Sequence, residues 1–472
     1  MTWETVIGLE VHVQLKTRSK MFCGCATTFG DLPNTNVCPV CLALPGALPV
    51  PNAEAIRLAS LAAYALECTV HERSIFARKH YFYPDLPKGY QITQYDRPLA
   101  TGGTVEIESG ERGTIRIGVT RLHVEEDSGK SVHDRVPGKT AVDLNRAGVP
   151  LAEIVSEPDL RSPAEARAYL TAIKGILLAA GVSDCSMEEG SLRVDGNISI
   201  RRPGAPLGTK TEVKNVNSFS YIEKALEIER VRQIALLEGG GKVEQVTQLY
   251  DASSNTLRTM RSKEDSKDYR YFPDPDLPAL VLDRAWLAAR REELPELPAQ
   301  KRARLMTRYG LPAYDAGVLI TVAAVTDHFE AVVAAGVDPK LAANWVMTEA
   351  MAVWNETGAV EVSAPRLAAL IALVRGGTVS HQSARKVYTL LRTDPSDPMS
   401  VAERLGLVQV GDRDQLGKWV DEVLAAFPAE VARYKGGEQK LIGFFTGQVM
   451  KRSGGKADPK GVGPLLISKL GG

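Results

Sequence analysis

The chain has 472 residues, 44% of them hydrophobic and 24% charged, and its 57 basic and 57 acidic side chains cancel to a formal net charge of +0. That length exceeds one compact core and predicts two or three domains. The charge balance excludes a protein that coats nucleic acid nonspecifically, and no apolar run approaches the roughly 18 residues of a membrane span.

Met1–Thr5 enters a strand-like pattern at once, without a charged leader, apolar stretch and cleavage site, so a cytoplasmic protein is expected. Val6–Leu15 alternates, with Leu9, Val11, Val13 and Leu15 on one face and Glu10, His12 and Gln14 on the other. Next come Cys23-Gly-Cys25 and Cys38-Pro-Val-Cys41. Each short pair presents two thiolates to one ion, and the intervening loop closes a tetrahedron, which predicts zinc. Four thiolates leave no open position, so the metal is structural. A redox dithiol fits less well, because two pairs are present without a thioredoxin-like unit around them.

Further strands are predicted at Thr114–Val124, Leu151–Val155 and Leu192–Ile200. A helix is predicted over Pro163–Ala180, with Ser162 as cap, Glu165 completing a capping box and Gly181 as a left-handed stop. The Pro-rich stretch Leu294–Pro298 reads as a linker, beyond which the chain is helical, and a second composition shift falls at Asp394–Pro398. The expected fold class is α+β, with domains at 1–293, 294–401 and 402–472.

Carboxylates in strand centres are unusual unless paired or bound to metal. Glu10 and His12 share a face, as do His123, Glu125 and Asp127, and Glu153 is a lone acid in an apolar strand. Several on one sheet suggest a Mg²⁺ platform for nucleotide phosphates. The competing reading is a solvated polar face, or ion pairs to Arg121, Arg193 and Lys210. Ser128-Gly-Lys-Ser131 and Pro137-Gly-Lys-Thr140 end like phosphate loops, but Val124 and His133 stand where the first glycine is required. Arg78–Gln91 and Asp268–Pro275 mix aromatics with cations, which suits stacking and anion contacts. Lys79, Lys88 and Arg193 are the candidate cofactor-binding cations. In the tail, Lys451, Arg452, Lys456 and Lys460 form a cationic, Gly-rich segment suited to RNA phosphates.

Several stretches together resemble the B subunit family of tRNA-dependent amidotransferases. They are Trp3–Leu15, Tyr81–Lys88, Leu122–Lys130, Gly148–Asp159, Glu188–Ser199, Lys214–Phe219, Asp268–Leu277 and Gly443–Lys451, in order along nearly the whole chain. The family often carries Thr where Ser156 stands, and some members lack the four cysteines. The resemblance implies a glutamine-synthetase-like catalytic cradle with an antiparallel sheet and a zinc knuckle, then an all-α helical domain and a small helical tail that grips tRNA. An archaeal relative of the cradle carries a large inserted domain, for which the short linker here leaves no room. The implied activity is ATP-dependent phosphorylation of the side-chain carboxylate of mischarged Glu-tRNA(Gln) or Asp-tRNA(Asn), then amidation by ammonia that a partner amidase releases from glutamine. That amidase and a small clamp-like protein complete the implied heterotrimer; no DNA or membrane partner is expected. By motif, Glu10, His12, Glu125 and Glu153 map onto the catalytic site, with His12, Glu125 and Glu153 as Mg²⁺ ligands, and Cys23, Cys25, Cys38 and Cys41 onto the zinc knuckle. A zinc-containing tRNA scaffold without chemistry of its own is the alternative; it has no need of clustered carboxylates. A free-standing glutamine hydrolase is disfavoured, since no cysteine pairs plausibly with a histidine and no amidase signature appears.

Overall fold

The computed structural model describes residues 2–262, 269–409, 413–454 and 456–471. It divides into two compact units, Met1–Ala299 and Gln300–Gly472. The Pro-rich stretch belongs to the first unit, because Leu294 and Leu297 pack on its core.

The first unit is mixed α and β. Its strands are β1 (Glu4–Gln14), β2 (Thr69–Val70), β3 (Arg73–Ser74), β4 (Phe76–His80), β5 (Tyr90–Gln94), β6 (Ala100–Ser109), β7 (Gly113–Glu126), β8 (Lys130–Val136), β9 (Lys139–Asp143), β10 (Pro150–Ser156), β11 (Leu192–Arg201), β12 (Thr211–Lys214), β13 (Val246–Asp251), β14 (Thr256–Ser262), β15 (Phe272–Pro273) and β16 (Leu280–Val281). Its helices are α1 (Ala53–Ala65), α2 (Pro163–Ala179), α3 (Phe219–Glu238) and α4 (Arg284–Glu292). Nine strands form the main sheet in the order β14-β13-β12-β11-β1-β10-β7-β6-β2. Every pairing is antiparallel except β12 with β13.

Alternation in β1 sets the two faces of the sheet. Leu9, Val11 and Val13 are buried on one side, in a core shared with α1, α2 and α3. The helices come close: a Cβ on Gly196, opposite Leu9, would sit 3.1 Å from Ile222 and 3.2 Å from Leu226 of α3. That close approach explains a glycine in the middle of a strand. The other side of β1 carries Glu10, His12 and Gln14, all half-buried. β4 and β5 form a smaller sheet with β15, in the order β15-β4-β5.

Ser162 caps α2 through the Glu165 N–H, and Gly181 takes the left-handed conformation at φ 68°. The capping box does not close as expected. Glu165 accepts from the Arg161 N–H at 2.7 Å and binds Arg112 and Ser109 instead, because the Arg112 guanidinium is a stronger donor than the cap amide. Neither phosphate-loop lookalike leads into a helix: the first runs into β8, and Gly138 turns the β8–β9 hairpin at φ 70°.

The second unit is helical and holds two separate cores. One gathers residues from Leu305 to Ala402, with Leu407 and Val408 packed against it; the other gathers residues from Leu416 to Leu470. Ala402 therefore lies in the first of these cores. No single helix among the described residues is long and apolar enough to cross a membrane.

Candidate active site

Strand register assembles the ligand face row by row. His12 on β1 stands opposite Glu153 on β10, and Glu153 stands opposite His123 on β7. Opposed residues in an antiparallel sheet share a face, so Glu153 sits between two imidazoles. Its Oε2 lies 3.2 Å from His12 Nε2 and 3.4 Å from His123 Nε2. Glu125, two residues beyond His123, brings Oε1 to 4.0 Å from His12 and Oε2 to 3.7 Å from His123. Thr93 of β5 donates to that same Oε2 at 3.0 Å. Glu125 Oε1 therefore faces His12 while Oε2 is held from behind.

His12, Glu125 and Glu153 each offer one ligand atom, all within 4.8 Å of one another. One nitrogen and two hard oxygens suit a divalent cation of the Mg²⁺ or Mn²⁺ type. The electrostatics agree. Burial alone would push Glu153 up, but His123 and His12 hold it well below the usual carboxylate range. Glu125 is likewise held down against burial by His123 and Lys79. Burial opposes a charge on His123, yet Glu153 and Glu125 raise it to about 9. Both carboxylates are thus kept as anions.

Glu10 does not join this group. It faces Asp195 across β1 and β11 and forms a second acidic set with Asp195 and Glu212. Asn197 donates to Glu10 at 3.0 Å, and Lys214 pairs with Asp195 at 2.8 Å and Glu212 at 3.1 Å. Asp195, Glu212 and Lys214 were not among the sequence candidates: Glu212 and Lys214 stand on a strand of only four residues, and Asp195, although β11 alternates, acquires its role from its pairing with Glu10.

The candidate cations divide. Lys79 lies over the Tyr269 ring at 5.0 Å. Burial works against its charge, but the Glu125, Tyr271 and Glu153 charges outweigh it and hold the ammonium above the ordinary lysine value. Tyr269 meets Tyr271 edge to face, and Tyr271 stacks on Tyr95 with ring centroids 4.1 Å apart. Lys88 instead pairs with Glu126, whose side chain points away from Glu125, and sits by Phe22 and Cys23 in a cavity of about 180 Å³. Arg193 pairs with Asp127 at 2.7 Å, where Gln14 also donates at 3.0 Å. Ser156 Oγ accepts the Leu9 N–H at 2.8 Å, a bond that Thr would keep.

The four cysteines converge in the loops between β1 and α1, each offering a sulfur within 4.8 Å of the others. None forms a disulfide. The Cys38 N–H donates to Cys41 Sγ at 3.1 Å, as in a metal knuckle. The Lys20 ammonium, wholly buried, lies 3.7 Å from Cys41 Sγ and donates to Asn36 O at 2.7 Å. Hydrogen bonding from Cys23 and the nearby Lys20 charge lower the Cys41 thiol, while hydrogen bonding to Cys41 and burial push the Cys23 thiol up. The donor set fits Zn²⁺.

In the tail, Lys451 and Arg452 end the helix Leu441–Arg452, and both are exposed. Arg452 pairs with Glu422 at 2.8 Å, and Lys456 is exposed beside Gly406. The Lys460 side chain, Gly455 and Asp268 lie outside the described residues.

A helix-backed, almost wholly antiparallel sheet carries the histidine–carboxylate face, and helical cores follow it along the chain, an arrangement that suits an enzyme subunit with an appended helical region. The family described as the GatB/GatE catalytic domain matches residues 5–288, and that described as the GatB domain matches residues 327–470. The B subunit of the aspartyl/glutamyl-tRNA(Asn/Gln) amidotransferase of Moorella thermoacetica is 52% identical over 477 aligned positions, covering 100% of both chains. The B subunits of the same amidotransferase from Geotalea daltonii and Halorhodospira halophila are 51% and 50% identical, again over 100% of each chain. The chain belongs to this family of amidotransferase B subunits, as its motifs lead one to expect.

Proposed function

We propose that the chain uses ATP to phosphorylate the side-chain carboxylate of tRNA-bound Glu or Asp, and that ammonia then displaces phosphate to give the amide. The observation that carries this reading is the set His12, Glu125 and Glu153, three ligand atoms held together on a buried sheet face.

A carboxylate is a poor acyl donor. Attack by its oxygen on the γ-phosphorus expels ADP and gives an acyl phosphate. Ammonia attacks the acyl carbon, inorganic phosphate leaves, and the extra proton passes to a nearby base. His12, Glu125 and Glu153 would hold Mg²⁺, which offsets charge between the two reacting anions. The second acidic set, Glu10, Asp195 and Glu212, lies one row along the same face and extends the platform. Lys79, with the Tyr269 and Tyr271 rings, walls the face and keeps water from the activated acyl group.

Zn²⁺ in the four-cysteine knuckle is structural in this reading. The chain works in the cytoplasm, in a heterotrimer with a partner amidase and a small clamp-like protein. It has three parts: a glutamine-synthetase-like cradle, a helical domain, and a tail that binds tRNA through Lys451, Arg452, Lys456 and Lys460. The deciding assay supplies the assembled enzyme with each mischarged tRNA, ATP and glutamine, and identifies the product amino acid. Amide formation without ATP consumption would refute the reading, as would glutamine hydrolysis by this chain alone.

A further inference from the structure

We propose that Arg121 binds the phosphates of the nucleotide. The inference rests on the reading of the sheet face as an ATP site and names a residue that contacts the substrate there.

The argument begins with position. On β7, Leu122 and Val124 are fully buried in the helix-backed core. Arg121 alternates with them, so it lies on the same face as His123 and Glu125. Register then places it across the sheet: Arg121 stands opposite Val155, and Val155 stands opposite Glu10. Arg121 thus flanks the row of Glu10 and Asp195, one step along from the row of His123, Glu153 and His12.

Charge pairing sets it apart. The other cations around this face are committed to acids or rings. Arg193 and Arg146 meet Asp127, Lys214 meets Asp195 and Glu212, and Lys79 lies over Tyr269. Arg121 has no ion pair among the described residues; its Nε, like that of Arg193, is buried without a hydrogen-bond partner, but Arg193 still pairs with Asp127. A half-buried guanidinium on the face that carries both acidic sets would ordinarily be paired with an acid. Leaving it free costs stability and reserves its fork for an incoming anion.

A polyphosphate fits best. Cations held by the two acidic sets meet one side of it, and a guanidinium supplies bidentate donors to the other without competing for the metal. The substrate carboxylate is the other anion that reaches this face, and the test separates the two.

The experiment uses the assembled amidotransferase with Arg121→Met and Arg121→Lys. Affinity for a non-hydrolysable ATP analogue with Mg²⁺ is measured directly, beside the KM for ATP and for mischarged tRNA. Arg121→Met should weaken the analogue and raise the KM for ATP by about tenfold or more, with the KM for tRNA unchanged. Arg121→Lys should restore part of the loss, and Mn²⁺ binding without nucleotide and zinc content should match the parent enzyme, which shows the variant is folded. Unchanged analogue affinity, or a loss confined to tRNA, overturns the assignment. Failure of the parent enzyme to bind the analogue at all overturns the ATP reading beneath it.

Discussion

The two ligand-rich centres of the first unit are built in opposite ways. The four cysteines lie in loops, two residues or three apart within each pair, and their convergence comes from local turns. His12, Glu125 and Glu153 come from three strands, and only the pairing of β1, β10 and β7 brings them together. Soft sulfurs close a tetrahedron and leave nothing for a substrate. Hard oxygens and one imidazole leave an incomplete shell, which is what a centre acting on phosphates needs. Local spacing builds the cysteine cluster; long-range register builds the histidine–carboxylate set.

The largest expected effect lies on the strand site. Glu125→Gln keeps the shape but removes a charge from the ligand set. It should cut tRNA-dependent ATP hydrolysis by about a thousandfold or more while leaving tRNA affinity near the parent value. Normal turnover in that variant would erase the distinction between the two centres.

Cys41→Ser attacks the other centre. Zinc should be lost, and the melting temperature of the protein should fall by roughly 5–10 °C. Elemental analysis of the parent chain should give one zinc. A metal-free parent with full stability would break the comparison from this side.

The difference also explains what could be read in advance. The cysteine spacing was legible because its geometry is local. The alternation of β1 correctly gave the polar face that Glu10 and His12 share, but not the cross-strand partners each meets there. Residues two apart in a strand lie about 6.6 Å from each other, and cross-strand neighbours decide which cluster each joins. Glu10 met Asp195 and Glu212, while His12 met Glu153. Likewise Lys88 sits near Lys79 in sequence but turns to Glu126 on the far side. No local pattern announces such pairings. The helical half was legible as helical, but not in its cores: Ala402 and Leu407 pack backward into the middle one.

A smaller effect separates the tail from both centres. Lys451 and Lys456 are exposed, whereas Arg452 is paired with Glu422. Replacing both lysines with Ala should lower the slope of log affinity for tRNA against log salt by about 2, leaving nucleotide binding unchanged. Arg452→Ala should change the slope less. An unaltered slope in the double variant removes the tail from the tRNA contact.

The smallest effect concerns acid stability at a purely structural acid. Burial pushes Glu165 up, but Arg112, the Arg161 N–H and Ser109 hold it below its ordinary value. Its contribution is therefore present above the unfolded pKa of about 4.3 and is lost as pH falls through the folded value. Glu165→Gln should melt below the parent at pH 7, and the gap should narrow as pH drops below about 4. A gap independent of pH would mean that packing, not charge, sets the role of Glu165.

The central claim, that the strand site activates the carboxylate by phosphorylation, is tested most directly by oxygen transfer. Mischarged tRNA carrying ¹⁸O in the side-chain carboxylate is given to the assembled enzyme with ATP and an ammonia source, and the released phosphate is analysed. The account predicts ¹⁸O in the phosphate of the parent enzyme and neither amide nor labelled phosphate with Glu125→Gln. Amide formed while the phosphate carries no ¹⁸O would contradict it.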